Sequence, residues 1–154
     1  MIDPMFLDIA EMFAKKSHCV SFQVAAVAVR NGRILYTGIN GTPSGYMNCD
    51  DYHNQEGYDW KNLEPVAKRE CHHKWSLIHE GHSEQALISG CAKEGISLKD
   101  ADIYVTHQPC RDCMKLIVLA GIKKIIFRHA YDKADPESIQ FARKCGVEVI
   151  CLSI

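Results

Sequence analysis

At 154 residues, 47% hydrophobic and 24% charged, the chain has the length and balance of one ordinary globular domain over residues 1–154, with enough apolar side chain for a proper core. Its 18 basic and 19 acidic residues leave a net charge of −1, which excludes the basic face of a duplex nucleic-acid binder and favours a small partner over a polymeric one. No apolar run approaches a membrane span, and the start "MIDPMFLDIAEMFAKK" is acidic where a secretory signal would be basic, so a cytoplasmic protein without membrane contact is expected.

In chain order, the apolar residues Met5, Phe6, Ile9, Met12 and Phe13 recur at helical spacing and predict an amphipathic helix over 4–16. "VAAVAVR" and "RILYTGI" read as strands, and Asn31-Gly32 between them predicts a tight hairpin. From 41 to about 65, Gly, Asn, Asp and Tyr recur without a period, which predicts a long irregular loop of a length that usually serves function. Helical patterns follow over 66–79 and 83–93, interrupted at Gly81 and ended by Gly95. Then come the strand "DIYVT", a helix over 111–120 closed by Gly121, and the strand "KKIIFR". A helix over 136–144, capped by Asp135 and followed by Gly146, leads into the last strand, "VEVICL". Strands alternating with helices favour parallel pairing, and the hairpin ahead of them is antiparallel. The fold class is therefore α/β, a three-layer α/β/α sandwich around a mixed sheet of five strands.

Eight cysteines in a core-rich chain of this kind suit metal ligation better than disulfides. "PCRDC" places Cys110 and Cys113 three apart where a strand gives way to a helix, so both sulfurs meet one side of its first turn. The positive end of that helix favours thiolate, the form a metal binds. Taken alone, the pair also fits a redox dithiol, half of a structural zinc site, or two buried thiols. "HSE" decides among these: His82 precedes one helix and Glu84 lies in its first turn, 28 residues before Cys110, about what a helix, a turn and a strand need to return the chain. Three protein ligands with a fourth position open describe a catalytic zinc, and Glu84 supplies the base that a zinc-activated water requires. His-x-Glu followed by Pro-Cys-x-x-Cys is the signature of zinc nucleobase deaminases.

On these motifs the chain resembles the cytidine deaminase superfamily and, within it, the phage-type deoxycytidylate (dCMP) deaminases. "GINGTPSGYMNCDDY" is similar to that family's Asn-Gly-x-Pro-x-Gly loop, "HSEQALI" to its His-Ala-Glu helix, "YVTHQPCRDCMKLIVLAGIKKIIF" to its zinc strand and helix, and "YDK" at 131–133 to the segment after the fourth strand. Ser83 stands where that helix usually has Ala, Ala25 where the pocket usually has Gly, and Gln85 to Leu87 depart from the customary pattern.

The resemblance implies the cytidine deaminase-like fold and hydrolysis of dCMP to dUMP and ammonia by a zinc-bound hydroxide and a glutamate proton shuttle. It also implies a second, structural zinc on Cys19, Cys49, His72 and Glu80, two Zn²⁺ per chain in all. His79 is a rival to Glu80, because it lies seven residues from His72 and shares its helix face better. Asn40 is implied as a sugar contact, although a turn residue would also fit there. Ser21, Arg111, Tyr131 and Lys133 are candidates for the phosphate. Activation by dCTP and inhibition by dTTP are implied at a separate site, with Gly41, Thr42, Gly45 and Asn48 offering main-chain donors to a Mg²⁺-bridged triphosphate, in a homo-hexamer.

His18, His53, His107 and His129 have no evident partner in the sequence, and Cys91, Cys145 and Cys151 fall at apolar positions that suggest core thiols. Two alternative readings remain. A deaminase of free cytidine, guanine or a tRNA adenosine would be expected to have a shorter loop between Asn40 and His82. A non-catalytic zinc module would have no use for Glu84 and would be expected to carry a basic groove with stacking aromatics.

Overall fold

The computed structural model describes residues 1–59, 62–130 and 135–153, with residues 65–67 described by backbone alone. Among the described residues there are five strands, β1 (Ala25–Arg30), β2 (Arg33–Ile39), β3 (Asp102–His107), β4 (Lys124–His129) and β5 (Glu148–Cys151). The six helices are α1 (Met5–Ala14), α2 (Cys49–Gln55), α3 (Pro65–His79), α4 (Ser83–Glu94), α5 (Arg111–Leu119) and α6 (Pro136–Lys144). The strands lie in the order β2-β1-β3-β4-β5. β1 runs antiparallel to both β2 and β3, while β3, β4 and β5 are parallel. Asn31 and Gly32 both take positive φ, 54° and 71°, which is the backbone that a two-residue turn between right-twisted strands demands.

Side chains alternate across the sheet and build two cores. Ala26, Ala28, Ile103, Val105, Ile125 and Phe127 face one way, toward Leu87 of α4, Met114 and Ile117 of α5 and Ala142 of α6. Val27, Val29, Tyr104 and Ile126 face the other way, onto Phe6, Leu7 and Ala10 of α1. The result is the three-layer sandwich read from the sequence.

Two glycines set how closely α4 approaches β2. A Cβ on Gly38 would lie 2.1 Å from the Ser83 carbonyl oxygen and 2.6 Å from the Leu87 nitrogen, and one on Gly90 would lie 2.3 Å from Tyr36 Cε1. The first turn of α4 is thus held against the sheet by backbone contact, which fixes the residues just before and after it.

The stretch 41–65 is less irregular than its composition suggests, because α2 lies inside it. Its seven residues, CDDYHNQ, are too few to show a helical period. What starts it is electrostatic and tertiary: Asp50 and Asp51 sit in its first turn at the positive helix end, and Cys49 and His53, one turn apart, are buried. Cys91 is a core thiol, whereas Cys145 and Cys151 are exposed, since α6 ends at Lys144 and β5 at Cys151 and neither position faces a core. Among the described residues no helix is long and apolar enough to cross a membrane.

Candidate active site and metal centres

His82 and Cys110 occupy equivalent places, each the residue just ahead of a helix with extended backbone (φ −71°, ψ 160° and φ −68°, ψ 168°). The His82 N–H donates to Gln85 Oε1 at 2.7 Å, so the departure at Gln85 serves to close the start of α4. His82 Nδ1 lies 3.5 Å from Cys110 Sγ and 3.4 Å from Cys113 Sγ. Cys113 is fully buried, Cys110 half-buried and His82 exposed, so the trio is open on one side only. The thiols divide one proton between them: the hydrogen bond from Cys113 draws Cys110 down to about 4, helped by His82, and the same contact pushes Cys113 up. His82 is raised in turn by Cys110. Two sulfurs and an imidazole nitrogen within 4.8 Å of one another fit zinc by donor type and number. Glu84 sits beside them at 4% exposure, and burial raises its proton affinity above the usual carboxylate range.

A second donor group gathers from three separate segments. Cys19 follows α1, Cys49 opens α2, His72 lies within α3, and Glu80 follows its last residue. Cys19 Sγ is 3.2 Å from His72 Nε2 and 3.5 Å from Glu80 Oε2, and His72 Nε2 is 3.2 Å from Glu80 Oε2. Contact with Cys49 draws Cys19 down to about 5 and pushes Cys49 up. Burial opposes a charge on His72, but Cys19 and Glu80 outweigh it and raise the imidazole to about 9. Glu80 Oε1 is buried with no hydrogen-bond partner among the described residues, the orphaned acceptor that a cation would satisfy.

The rivalry between Glu80 and His79 has a geometric answer. The helix ends at His79, and Glu80 takes extended backbone (φ −105°, ψ 136°) that returns its carboxylate to the cluster. His79 instead stacks between Trp75 (4.8 Å) and Tyr46 (5.4 Å) and bonds the Trp75 carbonyl through Nδ1 at 2.8 Å.

The family model described as the cytidine and deoxycytidylate deaminase zinc-binding region matches residues 2–129. The deoxycytidylate deaminase of Enterobacteria phage T2 is 37% identical, across 93% of this chain and 88% of that protein, and its phage T4 counterpart is 36% identical over a similar span. Among solved structures, the dCMP deaminase of cyanophage S-TIM5 in complex with dCMP and dUMP aligns with TM-score 0.75 and 31% identity, covering 99% of this chain and all of that one. The chain belongs to the cytidine and deoxycytidylate deaminase family.

Other features of this deaminase bear on ligand binding. A cavity of about 610 Å³ runs between the two donor groups, and Ser21, Phe22, Asn40, Glu84 and Cys110 line it. The Asn40 amide is largely occupied, accepting from the Val24 N–H at 2.9 Å and donating to the Phe22 carbonyl at 2.7 Å, which leaves one N–H for a ligand. Arg111 does not reach this cavity; it pairs with Asp135 at 3.2 Å and lines a separate surface cleft between α5 and α6. Tyr131 and Lys133 lie outside the described residues.

Gly41 is paired with Gly81 by two backbone hydrogen bonds, of 3.1 and 2.8 Å, and Gly45 has φ +88°. Asn48 precedes α2 and its amide donates to Asp51, while Thr42 is half-buried. None of Gly41, Thr42, Gly45 and Asn48 lines the 610 Å³ cavity.

The four histidines without an evident partner in the sequence have partners in the fold. His18 bonds Asp50 at 3.0 Å, His129 bonds Glu11 at 2.8 Å, His107 bonds Thr106 at 3.1 Å, and buried His53 bonds the Cys49 carbonyl at 2.7 Å. Sequence reasoning also missed the ring stack from Tyr46 through His79 and Trp75 to Tyr52, since only Trp75 and His79 share an element, α3, while Tyr52 comes from α2 and Tyr46 from the loop before it.

Proposed function

We propose that the protein hydrolyses dCMP to dUMP and ammonia as a zinc-dependent deaminase, supplying dUMP for thymidylate synthesis. The observation that carries this reading is the buried Glu84 carboxylate beside three clustered donors, at the wall of a nucleotide-sized cavity. His82, Cys110 and Cys113 would hold the zinc, which when bound supplies a Lewis acid that makes water a nucleophile near neutral pH. Glu84 takes the proton that the water gives up and passes it to ring N3; it then takes the proton of the hydroxyl added at C4, leaving a carbonyl there, and delivers it to the departing amine. Its burial suits the task, because a carboxylate with raised proton affinity both holds and returns a proton. Asn40 orients the sugar through its remaining N–H, and Ser21 lies at the cavity wall for the phosphate.

Cys19, Cys49, His72 and Glu80 would hold the second zinc, tying α1, α2 and α3 together. Similarity to phage dCMP deaminases supports further features: a homo-hexamer, activated by dCTP and inhibited by dTTP, with a Mg²⁺-bridged triphosphate on the loop of Gly41, Thr42, Gly45 and Asn48.

The deciding experiment is ammonia release from dCMP, cytidine and adenosine by wild type and Glu84→Gln. Wild type is expected to prefer dCMP, and the variant to lose at least ~10²–10⁴-fold in turnover with its zinc retained. Preference for another substrate would replace dCMP, and near-normal turnover by metal-replete Glu84→Gln would overturn the mechanism.

A further inference from the structure

Glu84 is held from one side by its own neighbour. Ser83 Oγ donates to Glu84 Oε2 at 2.9 Å, the one hydrogen bond this hydroxyl makes among the described residues. Ser83 is 0% exposed, in the first turn of α4, and cannot drift, because its carbonyl faces Gly38 at a distance that leaves no room for a Cβ. A fully buried hydroxyl is costly unless bonded, and this one spends its bond on the carboxylate. The hydroxyl is a departure from the motif this segment resembles, which has Ala at that place.

The geometry points to Ser83 as a positioning residue for proton transfer: its hydroxyl anchors Glu84 Oε2, so that Oε1 is the oxygen that receives and returns the proton. Without the anchor a carboxylate pivots about its last torsion, and its two oxygens exchange places relative to the cavity. With it, one oxygen is tethered to a helix that rests on the sheet, and the other is aimed. The tether concerns orientation during the chemical step and does not touch the sugar or phosphate. Its loss therefore belongs in kcat rather than in KM, and a small misplacement of a proton-transfer group is felt strongly in rate.

This inference rests on Glu84 as the proton carrier, and its test separates the two ideas. In zinc-loaded enzyme, Ser83→Ala is expected to lower kcat for dCMP by roughly 5- to 50-fold with KM within twofold of wild type and unchanged zinc content. Ser83→Thr, which keeps the hydroxyl, is expected to recover most of that loss if it folds. In the Glu84→Gln background, Ser83→Ala is expected to add less than twofold, because the group it positions no longer shuttles protons. Unchanged kcat in Ser83→Ala, a change in KM alone, or an equal loss in both backgrounds would each overturn the role of Ser83. If Glu84→Gln abolishes turnover while Ser83→Ala is silent, only the anchor is wrong. If Glu84→Gln itself is active, the proton-carrier reading and this one fall together.

Discussion

At the scale of single residues, the two donor groups are arranged so that metal competes with protons. In the metal-free protein His72 is raised to about 9 by Cys19 and Glu80, so at neutral pH its imidazole carries a proton on the face that meets the other donors. Cys49 is pushed up by Cys19 and also stays protonated. Zinc needs neutral imidazole and thiolate, so the loaded cluster binds fewer protons than the empty one. Linkage then fixes the sign: acidification favours the metal-free form, and affinity rises with pH toward the range in which His72 deprotonates. Titration calorimetry of zinc into stripped protein near pH 7.5, in buffers of different ionisation heat, is expected to show net proton release. Buffer-independent heats would contradict it. The clustering of His82, Cys110 and Cys113, with Glu84 beside them, was the legible part of the site, because these residues carry their geometry in their spacing. The conformation of Glu80 was not legible, since one residue beyond the end of a helix has no period to read.

At the scale of elements, the contact between α4 and β2 governs the active site. The backbone of Ser83 and Leu87 lies where a side chain on Gly38 would have to go, and backbone cannot give way as a side chain does. Gly38→Ala is expected to cost about 1–3 kcal/mol or more and to reduce turnover as α4 is displaced. Gly90→Ala first meets the ring of Tyr36, a side chain that can shift, and gains up to ~1 kcal/mol of helix propensity. It is expected to be clearly milder, so urea midpoints of the two variants in the reverse order would refute this account. The strands, five of the six helices and the hairpin followed from alternation, from apolar spacing and from Asn31-Gly32. The seventh-residue brevity of α2 hid it, because what stabilises it is burial of Cys49 and His53 against distant residues rather than any local pattern. The outward turn of Arg111 was equally invisible, as its partner Asp135 comes from the start of another helix.

At the scale of the molecule, two kinds of cohesion are at work. The sheet and the helices packed on it hold chiefly by apolar burial, with polar links such as Arg128–Asp8 and His129–Glu11 between β4 and α1, while Cys19, Cys49 and Trp75 form only a small separate cluster with Val20 and Tyr52 packed against it. Stability is therefore expected to be uneven. Cys19→Ser or Cys49→Ser should remove one of two zincs by elemental analysis and lower the melting temperature, while leaving the His82 group metallated. Chelation should speed hydrogen exchange across 48–55 and 68–80 far more than across β1, β3 and β4. A single zinc per chain in wild type would mean that the four donors are held by their own hydrogen bonds. Charge balance, alternation and motif order made the architecture readable at this scale; the convergence of three segments on one cluster was readable only through likeness to other chains.

The pairing of Gly41 with Gly81 has an effect on what the chain can accommodate. It draws a neck at the base of residues 42–80, closing that excursion onto itself two residues after β2 and one residue before His82. Residues inserted between α2 and His72 leave the span between the sheet and His82 unaltered, because that distance is set at the neck. The excursion is thus anchored at its base by the neck and within by Cys49, His72 and Glu80, and only the stretch between α2 and His72 is released from both constraints.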